Sequence, residues 1–337
     1  MPWRSEPRDP YAVWISEVML QQTRVATVGP YFEAFLNKFP NVQTLAASPL
    51  EDVLGAWSGL GYYRRARALH EAAKVVASQH DGHLPQTIQE LRTLPGIGAY
   101  TSAAIASIAF GVPVAAIDGN VIRVISRLFA IDAPIDDAAW RKRVESEADR
   151  LMDRTDPGTF NEAMMDLGAV LCTPKSPSCP LCPVRTCCVA HSLGKQEQLP
   201  RVRSKTPSPR VTMAAYVVSA GDRILHGRRH EQGLFGGLWE PMMVEIACSG
   251  TARKAIEQAT NATRWTRCDD VAHVLTHRVL QVEVRTASAA EALAIRPGLL
   301  AGTYGDYAWW TADDTAKKGT SSLARKVVNV AGRRRKA

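Results

Sequence analysis

Four cysteines, Cys172, Cys179, Cys182 and Cys188, share one stretch with the spacing C-x6-C-x2-C-x5-C. Pro174, Pro177, Pro180 and Pro183 interrupt it, so the stretch cannot build regular structure of its own. It needs a staple. A chain of 337 residues with 7 cysteines is too long and too poor in cysteine for a secreted disulfide framework. Four reduced thiolates closing on a metal centre fit better. Structural zinc sites favour two C-x2-4-C knuckles, and only Cys179 and Cys182 form one. Unequal loops of six, two and five residues suit a compact iron–sulfur cubane better. On spacing alone, Cys187 is a rival to Cys188 as fourth ligand. Cys248 and Cys268 lack ligand spacing and read as ordinary thiols. Lys175 and Arg185 lie inside the stapled loop, which would therefore present positive charge.

The length predicts two or three domains, and a hydrophobic content of 46% is ample for their cores. No apolar run approaches the roughly 18 residues of a membrane span. The N-terminal MPWRSEPRDPYAVW has no apolar signal core. A cytoplasmic protein is expected. A net charge of +8 fits either plain solubility or a polyanionic partner.

Residues 10–130 have helical periodicity, as in Val121, Ile122, Val124, Ile125, Leu128 and Phe129. Prolines at 40, 49, 85 and 95 cut this region into short helices. Residues 140–171 continue as helices. The segment 191–210, with LPRVRSKTPSPR, reads as a linker. Beyond it the period changes: 211–219 and 278–286 predict strands, and 251–260 predicts a helix, so this part is α+β. The end, RRRKA, reads as a basic tail.

Leu94-Pro-Gly-Ile-Gly98 precedes a small-residue helical run. Gly96 and Gly98 permit a sharp turn and leave backbone amides open to a phosphate. An ordinary turn between helices is the plain alternative; in a basic chain the sequence favours a helix–hairpin–helix on a DNA backbone.

Two carboxylates stand out. Glu17 shares a helix face with Val13 and Leu20, where desolvation would raise its pKa and suit a general acid. An edge glutamate paired with an arginine explains the same periodicity, and periodicity alone favours it. Asp118 opens Asp-Gly-Asn-Val-Ile-Arg ahead of an apolar helix. It reads as an N-cap, or as an ionised carboxylate facing a developing positive charge, with Asn120 adding an amide nearby.

Taken together, SEVMLQQTRV (16–25), GLGYYRRAR (59–67), LPGIGAYT (94–101), IDGNVIR (117–123), FNEAMMDLGAVLC (160–172) and the four cysteines resemble the MutY family of adenine DNA glycosylases. The resemblance implies a multidomain fold: an all-α helix–hairpin–helix glycosylase with an iron–sulfur cluster loop, and an α+β Nudix/MutT-like C-terminal domain. Residues 1–190 would be the helical region, with about 18–128 a six-helix barrel and 1–17 plus 129–190 the cluster domain. A linker at 191–210, a lesion-recognition domain at 211–333 and the basic tail end at 334–337 would follow.

The resemblance also implies a reaction and its residues. Glu17 would protonate adenine, and Asp118 would stabilise the oxocarbenium-like sugar, with Tyr100 and Asn120 beside the reacting nucleotide. Tyr100 stands where related lyases carry a Schiff-base lysine, so a monofunctional enzyme leaving an abasic site is expected. Gln22, Thr23, Leu60 and Tyr62 would enter or support the duplex; a surface amide and core packing are the plain readings of Gln22 and Tyr62. Gly96 and Gly98 would contact the backbone. Cys172, Cys179, Cys182 and Cys188 would hold a [4Fe–4S] cluster, with Cys187 a bystander. The partner would be double-stranded DNA containing adenine opposite 8-oxoguanine or guanine, met by a monomer at a bacterial nucleoid, with no membrane involved.

The C-terminal resemblance is weaker. GLFGGLWEP (233–241), including Glu240, is similar to the start of a Nudix box, but TARKAIEQAT (251–260) lacks the paired glutamates for magnesium. That opposes nucleotide hydrolysis. Leu275-Thr276-His277 falls where the family has Phe-Ser-His, so Thr276 and His277 are candidates for reading 8-oxoguanine. Met1-Pro-Trp-Arg stands where the family's Leu-Pro-Trp-Arg follows a further helix. That helix is expected to be missing, through a mis-assigned start or at some cost to the cluster domain. Two other readings are an endonuclease III-like glycosylase/lyase, opposed by Tyr100, and a non-enzymatic cluster-bearing DNA-binding protein, opposed by Glu17 and Asp118.

Overall fold

The computed structural model describes the chain except residues 136, 202–206, 296–297 and 334–337. The basic tail end and part of the expected linker therefore lie outside the described residues. Two compact units emerge: residues 1–47 with 68–205, and residues 48–67 with 206–337. No helix among the described residues is long and apolar enough to cross a membrane.

The first unit is helical. It contains α1 (Pro10–Leu20), α2 (Val25–Lys38) and α3 (Val42–Ala47); α4 (Leu50–Ala56) and the first turn of α5 (Arg64–Gln79) group with the second unit. Then follow α6 (Ile88–Leu91), α7 (Ala99–Phe110), α8 (Gly119–Leu128), α9 (Ala138–Leu151), α10 (Pro157–Asp166) and α11 (Val189–Ser192). Asp9 caps α1 by accepting from the Tyr11 amide, and Pro10 occupies its first turn.

Two of these helices lie at the centre of the unit. Every residue from Tyr11 to Met19 on α1 is buried, as is every residue from Thr101 to Ile108 on α7. A helix apolar all round belongs inside a core. The alanines and serines of α7 let α1 approach it closely. Trp14, Ile15 and Met19 are fully buried, each worth roughly 1.5–3 kcal/mol of burial.

The second unit holds a mixed eight-stranded sheet among the described residues. Its strands are β1 (Arg210–Ala220), β2 (Arg223–Arg229), β3 (Trp239–Glu240), β4 (Met242–Glu245), β5 (Thr266–Arg267), β6 (Val271–Val274), β7 (Val279–Ser288) and β8 (Tyr304–Trp310). β1 and β7 run parallel from Arg210 opposite Val279 to Ser219 opposite Ser288. β1 is buried on both faces: Ala214, Tyr216 and Val218 meet α12 (Ser249–Thr260), and Met213, Ala215 and Val217 face the opposite cluster. After α13 (Ala312–Ala316), α14 (Ser322–Arg333) supplies Leu323, Val327 and Ala331 to that cluster. β6 and β7 form a hairpin whose last pair is Val274 with Val279. The Leu275 amide donates to the Arg278 carbonyl at 2.9 Å, which leaves Thr276 and His277 at the tip.

Candidate functional site

Glu17 is 5% exposed, in the middle of α1. It lies in the core rather than at the edge of the helix. Its neighbour is Tyr100, whose hydroxyl donates to Glu17 Oε2 at 2.8 Å. Burial pushes the Glu17 carboxyl up to about 7; Asp118 and Glu162 push the same way, against the Tyr100 bond and Arg4. Tyr100 itself is held well above the ordinary tyrosine range, by burial and then by the Glu17 charge. A carboxyl that keeps its proton near neutrality can deliver it to a bound base.

Asp118 is the N-cap of α8. Its Oδ1 accepts from the Asn120 and Val121 amides at 2.8 Å each, and its Oδ2 accepts from Asn120 Nδ2 at 2.9 Å. Capping and a chemical role share the same geometry. The cap fixes the carboxylate, and its charge reaches both Glu17 and Tyr100.

Other residues of this pocket were not singled out from the sequence. Arg4 grips Asp166 through two bonds of 2.7 and 2.9 Å and meets Glu162 at 3.0 Å; Arg8 also binds Glu162. These pairs tie the N-terminal segment to α10. Met165 places its sulfur 3.5 Å from the Tyr100 hydroxyl. A cleft of about 650 Å³ opens beside Tyr100, walled by Arg92, Ile117, Ile122, Trp140 and Arg141. Glu17 does not line it; Tyr100 touches both.

The glycine hairpin forms as expected. Gly96 has φ +78°, and a Cβ there would stand 2.6 Å from the Ala68 Cβ. Gly98 is the N-cap of α7, in open space and with φ −92°. Gly98 has no side chain to cap α7, which leaves the first amides of that helix able to meet an anion. Gln22 is exposed with φ +57°, and Thr23 donates its amide to the Leu20 carbonyl at 3.1 Å.

Cys172, Cys179, Cys182 and Cys188 line one cavity together with Arg127 and His191. Cys187 is exposed and does not line it. Burial raises the Cys179 thiol, and so do its neighbours Cys172, Cys188 and Cys182. Arg127, 2% exposed, was not foreseen. It donates to Cys172 Sγ at 3.3 Å and to the carbonyls of Thr173, Pro174 and Leu199. The bond to Leu199 pins the first half of the expected linker to α8. Arg123 donates to the Cys172 carbonyl at 2.7 Å and to Asn120 Oδ1 at 2.9 Å. Between α10 and Cys172 the chain makes a π-helical turn, Leu167–Leu171. A Cβ on its Gly168 would stand 2.6 Å from the Asn120 Cβ.

In the second unit, Leu60 is 6% exposed and Tyr62 is 47% exposed. Leu60 can reach a duplex only if its turn opens, whereas Tyr62 already faces solvent. Core packing therefore describes Leu60 and not Tyr62. Tyr62 has φ +49°, a strained backbone for an aromatic residue. The Arg65 guanidinium sits over its ring at 5.3 Å and over Trp57 at 5.5 Å. Burial lowers the Arg65 pKa to about 10. The Tyr62 hydroxyl lies 3.1 Å from Thr276 Oγ1. His277 is exposed at the same tip. Glu240, fully buried, is bound by Arg229 at 2.5 Å and Tyr304 at 2.7 Å. Glu257 on α12 is bound by Arg253 and Trp265. Both glutamates thus have structural partners.

Comparison with known proteins agrees with this architecture. The HhH-GPD superfamily of base excision DNA repair proteins matches residues 15–149, and the NUDIX domain matches residues 213–330. An adenine DNA glycosylase of Homo sapiens is 36% identical over 345 residues, 84% of this chain and 63% of that protein. One of Mus musculus is 35% identical over 353 residues, 87% of this chain and 68% of that protein. The chain thus spans less than two thirds of the human relative's length. The structure of a thermostable thymine-DNA glycosylase aligns with 57% of this chain and 88% of its own, at 29% identity and a TM-score of 0.51. On this similarity, carried across both units, the chain belongs to the adenine DNA glycosylase family.

Proposed function

We propose that the chain is a monofunctional DNA glycosylase that removes adenine paired with 8-oxoguanine or guanine. The observation that carries this reading is Glu17, buried, raised to about 7 and hydrogen-bonded by Tyr100 within the field of Asp118. The target adenine leaves the stack. Glu17 gives its proton to N7 of the base. The C1′–N9 bond breaks, its electron pair goes to the departing adenine, and positive charge develops on the sugar. Asp118 opposes that charge. Water then adds to C1′ and gives its proton to the Glu17 carboxylate, which restores the acid and leaves an abasic site. Tyr100 has no amine to form a Schiff base, so no strand cleavage follows.

Gln22, Thr23, Tyr62 and the amides after Gly98 supply the duplex contacts in this reading, with Leu60 joining if its turn opens. Thr276 and His277 meet the partner base, and the Tyr62–Thr276 pair supports such a role. Cys172, Cys179, Cys182 and Cys188 fit a [4Fe–4S] cluster. They share one cavity with a buried guanidinium, which favours thiolates. The C-x6-C-x2-C-x5-C spacing, with one C-x2-C knuckle, favours a polynuclear centre over zinc. When bound, the cluster would cross-link a loop too rich in proline to fold alone.

The test is a Glu17→Gln variant with a duplex holding adenine opposite 8-oxoguanine. Binding without excision is expected. Excision near the wild-type rate would refute the acid role.

A further inference from the structure

The turn after α1 has an unusual third residue. Leu20 to Thr23 is closed by the Thr23 amide on the Leu20 carbonyl. Gln21 has φ −55° and ψ 113°, and Gln22 has φ +57°. These are the angles of a type II turn, whose third position normally takes glycine or asparagine. A glutamine there is strained, and it persists only where neighbouring contacts over-determine the turn.

Gln21 provides such a contact. Its Nε2 donates to Thr101 Oγ1 at 2.9 Å, and its carbonyl accepts from the Thr23 hydroxyl at 3.3 Å. Thr101 is 3% exposed and follows Tyr100 on α7. Glu17, on α1, lies four residues before the C-cap Gln21. Side-chain hydrogen bonds therefore join α1 and its C-cap to α7: Glu17 with Tyr100, and Gln21 with Thr101. The second bond lies next to the exposed Gln22.

We propose that Gln21 is a positioning residue. Through Thr101 it holds the strained Gln22 turn in register with the Tyr100–Glu17 pair, so that opening of the duplex is aligned with delivery of the proton. The inference rests on the proposed reaction for its meaning, but its test reads base opening separately. Neither Gln21 nor Thr101 touches the base in this account.

The experiment places 2-aminopurine beside the target adenine and follows its fluorescence as the adenine leaves the stack. Single-turnover excision is recorded on the same duplex across pH. Gln21→Ala and Thr101→Val should each reduce opening and excision by about three- to tenfold, the scale of one hydrogen bond. The pH midpoint of excision should stay in place. Thr101→Ser, which keeps the acceptor, should restore both. Wild-type opening in Thr101→Val would overturn the inference, as would Thr101→Ser being no better than Thr101→Val, since packing alone would then explain the loss. Melting curves establish that each variant is folded, and Gln21→Ala, at a partly exposed position, gives an independent reading should Thr101→Val unfold. If the wild type opens the duplex without excising, the proposed reaction fails, while the opening ratio of variants to wild type still decides this inference.

Discussion

The Tyr100 hydroxyl donates to Glu17 Oε2 at 2.8 Å, and this bond partly offsets the rise that burial imposes on the Glu17 carboxyl. Glu17 is the acid in the proposed reaction, so excision should be fast below about pH 7 and fall as Glu17 ionises above it. Tyr100→Phe removes the bond that favours the charged form. The midpoint of the pH–rate profile should then move upward. A downward move would contradict the arrangement.

The same carboxyl links to stability. Its folded pKa of about 7 lies above the ordinary 4.5, so the folded state holds the proton more tightly than the unfolded one. Stability relative to a non-titrating side chain is complete below about 4.5 and is lost as pH rises to about 7, on the order of 3 kcal/mol. Glu17→Gln should therefore gain stability over wild type at pH 8 and lose that advantage near pH 4. Thermal melting at both values checks this.

Cys187→Ser should keep its iron and its visible absorbance, because Cys187 is exposed and is not among the residues lining the cavity that Cys172, Cys179, Cys182 and Cys188 share. Cys188→Ser should lose both. Arg127→Met should also bind iron poorly, since it strips the buried donor from Cys172 Sγ and leaves three carbonyls without it. Iron content per chain is the measurement.

The two hairpin glycines should differ. Gly96→Ala meets the Ala68 Cβ at 2.6 Å and forces alanine into φ +78°, which should cost about 1–3 kcal/mol. Gly98→Ala meets nothing within 4 Å and should cost less. Denaturant titration separates them.

The sequence carries the elements of the site better than their contacts. Val13 and Leu20 mark the apolar face that buries Glu17, and the period of α8 marks Asp118 as its cap. The partner of Glu17 lies 83 residues away, so only the resemblance pointed to Tyr100. Arg127 has a charged side chain and reads as surface until the fold brings the cysteine loop over it. Leu60 and Tyr62 sit in one glycine-rich turn, and the left-handed angles of Gly59, Gly61 and Tyr62 set which of them is buried. No periodicity encodes that. The Tyr62–Thr276 bond spans 214 residues and exists only once the hairpin tip is in place.

The most direct measurement uses a duplex with a single adenine opposite 8-oxoguanine, incubated with the protein and analysed with and without alkali. Release of adenine with strand breakage only after alkali is the predicted result. Breakage without alkali, or intact adenine after prolonged incubation, would contradict the proposed chemistry of Glu17 and Tyr100.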